Sequence, residues 1–99
     1  MLLSITPIDG GLCVAGELDM ATAPILDTAL REAASSSGEV LLDFAGLSFM
    51  DSTGLRVLLR SACEKHGAGR VVVLHPTGAV CKVFDIGVPG GTPGLEVRD

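Results

Sequence analysis

An apolar segment near the middle of the chain constrains the fold more than any other feature. Residues 39–44 hold four apolar side chains in six positions, which is too apolar for an exposed strand and predicts a central strand covered on both faces. A second run, with four consecutive apolar residues, lies within residues 70–75. Between them, leucines recur at helical spacing over residues 52–66. A strand–helix–strand unit is therefore predicted, with parallel neighbours and a right-handed crossover.

The helix of this unit has two distinguishable faces. Its inner face is predicted to hold Leu55, Leu58, Leu59, Ala62 and His66. The cationic side chains that face outward are Arg56, Arg60 and Lys65. The helix is expected to begin at Ser52 or Thr53 and to be ended by Gly67 and Gly69.

The residues before this unit predict an opening hairpin and a first helix. Residues 3–6 and 12–16 have the pattern of strands, and the aspartate and two glycines at residues 9–11 indicate a hairpin turn. A helix is predicted from about residue 22 to residue 33, with Thr22 as its N-cap. The loop over residues 35–38 ends it. The strands of a hairpin are antiparallel, so the complete sheet is mixed.

The last third of the chain adds short elements. Residues 77–86 predict a third helix, residues 88–94 an irregular loop rich in proline and glycine, and residues 95–97 a weak last strand. We therefore predict a single α/β domain over residues 1–99 with element order β-β-α-β-α-β-α-β. Its mixed, mostly parallel sheet is opened by a β-hairpin and packed with about three helices.

The composition argues against several classes of function. Apolar residues make up 47% of the 99 positions and charged residues 19%, a balance typical of a folded domain. The net charge of −5 argues against a nucleic-acid interface, which needs a basic face. No uncharged apolar run approaches the roughly 18 residues of a membrane span, and the amino terminus lacks the pattern of a signal peptide. We therefore expect a cytoplasmic protein that binds neither nucleic acid nor membrane.

The sequence shows no pattern for binding a metal or a cofactor. Cys13, Cys63 and Cys81 have neither disulfide nor zinc spacing, so we expect small buried side chains in a reducing compartment. The glycine-rich fingerprints of phosphate and dinucleotide binding are also absent.

The motif Asp51-Ser52-Thr53-Gly54 stands where a strand gives way to a helix. Either Asp51 or Ser52 is expected to cap the helix, and Gly54 fits a tight turn. A serine there is also well placed to carry a phosphate, because the first N–H groups of a helix are free and its dipole favours an anion. A catalytic serine is disfavoured, since the G-x-S-x-G elbow is absent and His66 lies about 20 Å along the helix.

Acidic residues follow two strands of the predicted sheet. Glu17 and Asp19 come after one strand, and Asp51 follows another. Connections of this kind gather at one edge of a parallel sheet, so we expect these carboxylates to form a partner-recognition rim.

Three blocks of the chain, taken together, resemble a known family. They are residues 14–19, residues 40–44 continued through 49–55, and residues 71–74 with 80–88. The chain resembles the STAS domain family, and most of all its single-domain members, the bacterial anti-sigma-factor antagonists. The family fold agrees with the predicted alternation. The loop at residues 88–94 is unusual for the family, and the C-terminal helix of several relatives is missing or very short.

The resemblance implies a non-enzymatic partner switch. The unmodified protein would bind an anti-sigma factor, a serine kinase of the GHKL fold, and so release the sigma factor. Phosphorylation of Ser52 would end that binding, and a PP2C-type phosphatase would restore it. Thr53 is an alternative acceptor, and the protein would be a monomer or weak dimer. The partner-binding residues would be Glu17, Asp19, Thr22, Asp51, Ser52, Thr53, Gly54, Leu55 and Arg56.

Two other functions stay open. A STAS module could serve a lipid-transport or stress-signalling complex without phosphorylation. Alternatively, a small-molecule or nucleotide sensor could use a pocket near residues 16–19 and Asp51.

Overall fold

The computed structural model describes residues 3–33, 38–65, 69–88 and 91–98. The elements follow one another in the predicted order. The strands are β1 (Ser4–Ile8), β2 (Gly11–Leu18), β3 (Glu39–Met50), β4 (Arg70–Leu74) and β5 (Leu95–Arg98), and the helices are α1 (Ala23–Ala33), α2 (Ser52–Lys65) and α3 (Gly78–Gly87). The predicted α/β class is confirmed, with a five-stranded mixed sheet and three helices among the described residues.

The strands lie side by side in chain order, β1-β2-β3-β4-β5. The hairpin β1–β2 is antiparallel and turns at Asp9 and Gly10, where Gly10 has a φ of 82° that favours glycine. All other pairs are parallel. Successive right-handed crossovers in one direction place all three helices on one face of the sheet. Consistent with this, Leu26 of α1, Leu58 of α2 and Val80 of α3 belong to one core.

The predicted inner face of α2 is largely confirmed. Leu55, Leu58 and Ala62 are buried, and Leu59 is partly buried against the core. Val57 is buried as well, which the predicted stripe did not include. The outward-facing arginines of this helix are exposed. His66 and Gly67, like residues 35–37 and 89–90, lie outside the described residues.

The middle strand has only one fully buried face. Val40, Leu42 and Phe44 of β3 are buried under the helices, but the alternate side chains of Leu41 and Asp43 are only half-buried. The prediction of cover on both faces is therefore wrong for this strand. The physical reason is the strand order, because helices that all lie on one side leave the other face of the sheet without a helical layer.

The face of the sheet away from the helices carries a row of ion pairs. Arg70 lies 3.0 Å from Glu39 and 3.1 Å from Glu96, so the row joins β3, β4 and β5. Arg98 also donates a hydrogen bond to Glu96, and this bond holds the pKa of the Glu96 carboxyl below its usual value. Ion pairs this exposed contribute little stability each.

Strands β2 and β3 extend beyond their predicted ends, and their extensions create the site described below. Residues 45–50, beyond the predicted strand, continue β3 to Met50, and β2 continues to Leu18. These extensions pair with each other, with register shifts between Cys13 and Ala15 and between Gly16 and Glu17. The pairing brings the last residues of the two strands, Leu18 and Met50, side by side.

The cysteines differ from their prediction. Cys63 is exposed on α2, and Cys13 and Cys81 are only half-buried, so the expectation of three buried side chains is wrong. Cys13 fails because it belongs to the face of β2 away from the helices. Within the described ranges, no His, Cys, Asp and Glu side chains cluster in a way that could hold a metal ion. No helix among those residues is long and apolar enough to cross a membrane.

Candidate functional site

The two acidic turns predicted to form a rim lie next to each other. Asp19 follows β2 and Asp51 follows β3, and these strands are parallel neighbours. The Asp51 N–H donates a hydrogen bond to the Leu18 carbonyl at 3.1 Å, which ties the two turns together. The expectation that they gather at one edge of the sheet is confirmed.

Asp51 is the N-cap of α2. Its Oδ1 accepts hydrogen bonds from the N–H of Thr53 at 2.9 Å and of Gly54 at 3.2 Å. Its main-chain carbonyl accepts the Leu55 N–H at 3.1 Å, the first bond of the helix. This carboxylate therefore occupies two of the free N–H groups that the sequence left available for a phosphate.

Ser52 is exposed at the first position of α2. Its hydroxyl makes no hydrogen bond to the described residues, so this hydroxyl does not stabilise the turn. A phosphate on this oxygen would lie next to a carboxylate that already holds the nearest backbone donors. Such a phosphate would face solvent or a partner and would meet repulsion from Asp51.

Gly54 lets the start of α2 lie close against the ends of the two strands. A β-carbon at this position would lie 2.6 Å from Cγ of Leu18 and 3.1 Å from Cγ of Met50. The prediction that Gly54 serves a tight turn is replaced by this packing role, because the residue is helical and buried. Close packing here holds the first turn of α2, to which Ser52 belongs, against the ends of β2 and β3.

The turn before α1 is built from the same residue types in another way. Asp19 Oδ1 accepts the N–H groups of Ala21 at 3.0 Å and Thr22 at 3.1 Å. The Thr22 hydroxyl donates to the Glu17 carbonyl at 2.9 Å and accepts the Asp19 N–H at 2.9 Å. Thr22 directly precedes α1, as predicted for the cap, but its buried hydroxyl points back into the turn instead of into the helix.

The nine residues predicted to bind a partner lie around these two turns at different depths. Ser52 and Arg56 are exposed. The half-buried members are Glu17, Asp19, Asp51 and Thr53. The buried members are Thr22, Gly54 and Leu55, which shape the surface from below.

Two exposed apolar side chains were missed by the prediction. Met20 is 75% exposed in the turn after Asp19, and Phe49 is 45% exposed next to the end of β3. Phe49 is the register partner of Glu17. For Met20 the sequence does contain a signal, because an apolar side chain in a short polar turn has no element face on which to be buried.

Two surface cavities among the described residues lie away from these turns. One, of about 630 Å³, is lined by the β1–β2 hairpin, α1 and the start of β3. The other, of about 270 Å³, lies between α3 and β5. Neither is lined by residues 16–19 or by Asp51, so neither supplies the pocket that a small-molecule sensor would use.

A family model described as "Mlab, STAS domain" matches residues 1–87. The chain is a STAS domain. This membership agrees with the predicted family and with the observed order of strands and helices.

Two solved structures of anti-sigma factor antagonists resemble this STAS domain. One, from Mycobacterium paratuberculosis, has a TM-score of 0.78 at 25% identity, over 95% of this chain and 83% of that one. The other is the antagonist SpoIIAA in its unphosphorylated form, with a TM-score of 0.69 at 25% identity over 98% of this chain and 88% of that one. A search of curated proteins finds no significant match.

Proposed function

We propose that this STAS domain is an anti-sigma-factor antagonist controlled by phosphorylation of Ser52. Its unmodified surface binds an anti-sigma factor of the GHKL kinase type, and that binding frees the sigma factor. Phosphorylation of Ser52 by the kinase ends the binding, and a PP2C-type phosphatase restores it. The observation that carries the proposal is the exposed hydroxyl of Ser52 beside the capping carboxylate of Asp51. The likeness to two antagonists, one named in its unphosphorylated form, supports it.

In this proposal the phosphate ends binding through its own charge at the interface, without a change in the fold. A phosphate adds about −1.5 to −2 charges and three acceptor oxygens. Asp51 already holds the N–H groups of Thr53 and Gly54, so the added charge is not neutralised by those donors. A partner fitted to the unmodified surface would have to bury a dianion next to a carboxylate, and unpaired buried charge is strongly unfavourable.

The partner surface combines a polar centre with apolar contacts. Ser52 belongs to it together with Glu17, Asp19 and Asp51, which lie on the two joined connections. The exposed side chains of Met20 and Phe49 belong to the same two connections and would supply apolar contacts at the interface. The acidic groups favour a partner that presents lysine or arginine there.

The STAS domain itself supplies no chemistry in this proposal. It acts in the cytoplasm as the substrate of the kinase and the phosphatase, as a monomer or weak dimer, without metal or cofactor. The phosphoryl group comes from ATP bound to the kinase.

A second candidate is a STAS module that serves another complex, such as a lipid-transport or stress-signalling assembly, without phosphorylation. The observation that favours it is the matching family model, whose description names Mlab and not the antagonists. In that case the turns at Asp19 and Asp51 would bind a permanent partner.

Incubation with candidate anti-sigma factor kinases and ATP, followed by intact-mass measurement, separates the two candidates. The antagonist function predicts one added phosphate on the wild type and none on Ser52→Ala. Tandem mass spectrometry should place the phosphate on Ser52 and not on Thr53, because Thr53 is half-buried in the first helical turn. Phosphate mainly on Thr53 would overturn the assignment of the acceptor.

Binding to the same kinase tests the switch itself. Ser52→Ala should bind constitutively, and Ser52→Asp should bind at least about tenfold more weakly, or about 1.4 kcal/mol. Ser4→Asp is a matched control, since Ser4 is an exposed serine of β1 outside the proposed surface. Equal affinity of Ser52→Ala and Ser52→Asp would remove Ser52 from the mechanism and favour the second candidate.

A further inference from the structure

A groove runs along α1 above the edge strand β1, on the helical side of the sheet. Its volume is about 630 Å³, and it is lined by both strands of the hairpin, by α1 and by the start of β3. The lining residues that matter below are Ile5, Pro7, Ile25, Thr28, Ala29 and Glu32. Ile25 is 49% exposed and adds apolar surface to the groove.

The groove lies where the helical layer leaves the edge of the sheet uncovered. Each parallel connection brings one helix, but β1 joins β2 through a two-residue turn and brings none. The helix-facing side chains of β1 are therefore incompletely covered: Ile5 is half-buried and Pro7 is exposed. Among the described residues, the layer formed by α1, α2 and α3 stops one position short of this edge of the sheet.

The shape and backbone of this edge favour a helix over an added strand. Pro7 lies inside β1 and has no N–H, so the outer edge lacks a donor that strand addition would use. On the other wall, Ala29 is half-buried and small enough for close helix approach. The groove follows α1, whose 11 residues span about 16 Å, or three turns.

The charges around the groove are acidic. Its lining contains Glu32 and Glu39 and no lysine, arginine or histidine. Asp9 is exposed in the hairpin turn at the same end. Glu39 also pairs with Arg70, but the chain as a whole carries a net charge of −5. A basic occupant is therefore complementary to this site.

From this geometry we propose that the groove binds an amphipathic helix of a partner protein. The helix is about three turns long, lays an apolar face against Ile5, Ile25 and Ala29, and places lysine or arginine near the hairpin turn. It completes the helical layer of the sheet and covers the exposed isoleucine.

Neither Ser52 nor Asp51 lines the groove. Gly11 and Leu12, at the start of β2, line the groove, whereas Leu18, at its end, contacts the turn of Asp51. At about 3.3 Å per residue these ends lie roughly 23 Å apart. The end of the groove at the hairpin turn is therefore far from the turn of Asp51, whereas its other end, at Ile25, lies one turn of α1 after Thr22.

A designed peptide tests the proposal. The probe is a Leu/Lys amphipathic helix of about 14 residues, and its counterpart carries glutamate in place of lysine. Binding is followed by two-dimensional NMR with labelled protein. The Leu/Lys peptide should bind, with shifts confined to β1, α1 and the hairpin turn, and the Leu/Glu peptide should bind at least about tenfold more weakly.

Two charge-matched variants separate the groove from general attraction to an acidic protein. Thr28→Arg places a bulky cation at an exposed position of the groove, and Ala79→Arg places the same charge at an exposed position of α3. Thr28→Arg should weaken the Leu/Lys peptide at least about tenfold, and Ala79→Arg less than about twofold.

Several results would overturn the proposal. They are the absence of binding by the Leu/Lys peptide, equal weakening by the two arginine variants, and shifts centred on α2 or α3. Self-association of the protein that is lost in Thr28→Arg would assign the groove to a second copy of the chain instead of to a partner.

Discussion

The two turns that join a strand to a helix at the site are made of the same residue types but present them differently. Each has an aspartate that accepts backbone N–H groups, and each has a neighbouring hydroxyl. At the first turn the hydroxyl of Thr22 is buried and bonded to the Glu17 carbonyl. At the second turn the hydroxyl of Ser52 is exposed and unused by the described residues. A hydroxyl beside a helix start is thus structural or available according to the length of the turn before it.

The length of the turn sets this difference. Three residues, 20–22, separate Asp19 from α1, and the chain uses the threonine hydroxyl to close the turn on itself. No residue separates Asp51 from α2, so the aspartate alone caps the helix and Ser52 stays outside. Only the second turn is therefore expected to carry a modification.

The largest expected effect on stability comes from truncating a buried leucine in either of the two helices that follow the turns. This effect should be similar for α1 and α2. Leu26 of α1 and Leu58 of α2 are both fully buried. Replacing either by alanine should lower the free energy of unfolding by about 2–5 kcal/mol, because each change leaves a cavity in the core. Denaturant melts measure this. A loss in only one of the two variants would mean that one helix is weakly anchored, and the comparison of the turns would then no longer isolate the turns.

The second-largest effect is expected when the hydroxyl of Thr22 is removed, and removal of the Ser52 hydroxyl should change stability much less. Thr22→Val removes a buried hydroxyl and leaves the Glu17 carbonyl and the Asp19 N–H without it, which should cost about 1–3 kcal/mol. Ser52→Ala should change stability by less than about 0.5 kcal/mol, as is usual for an exposed side chain. Equal losses in the two variants, measured by the same melts, would contradict the distinction drawn here.

Substitutions at the N-cap of α2 test how a negative charge at this helix start affects stability. Asp51→Ala should cost about 0.5–2 kcal/mol, because two N–H groups lose their acceptor. In the wild type, Ser52→Asp adds a charge beside Asp51. In the Asp51→Ala background the new carboxylate meets free donors instead, and should stabilise the helix by about 0.3–1 kcal/mol.

A double-mutant cycle over Asp51→Ala and Ser52→Asp measures the coupling between these two positions. Additive effects would show that the Asp51 carboxylate does not compete for the donors at the helix start. The electrostatic account of the switch would then have to be replaced.

Phosphorylation itself is also expected to have only a small effect on stability. Phosphoserine at position 52 should change the free energy of unfolding by no more than about 1 kcal/mol, because the favourable helix dipole and the repulsion from Asp51 oppose each other. Melts of the phosphorylated and unmodified proteins, with Leu58→Ala as the reference, decide this. A loss as large as that of Leu58→Ala would mean that the phosphate unfolds α2 and that the switch is not local.

Much of the fold could be predicted from the sequence because its signals are local. The leucine spacing of α2, the turn at Asp9 and Gly10, and the position of Asp51 before a helix each depend on a few adjacent residues. The extension of β3 to Met50 does not, because it depends on pairing with the second half of β2. The residues of one strand do not indicate which other strand they will pair with, or for how many residues.

The finer features of the site could not be predicted either, because they too depend on contacts between separate parts of the chain. Whether Thr22 turns toward the helix or back to the Glu17 carbonyl depends on a hydrogen bond that forms only after the turn closes. The role of Gly54 depends on the side chain of Leu18 in another strand. The exposure of Phe49 depends on which face of β3 the helices cover, and that follows from the strand order.

The strand order also has a consequence for how the molecule is made. Each strand pairs with the strand before it in the chain, so every loop that must close spans a single turn or a single helix. Closure entropy grows with loop length, and domains with short loops fold quickly. The sheet can therefore grow strand by strand in chain order. The contacts that hold the turn of Ser52 come from the ends of β2 and β3 and from α2, so this turn needs neither α3 nor β5 to form.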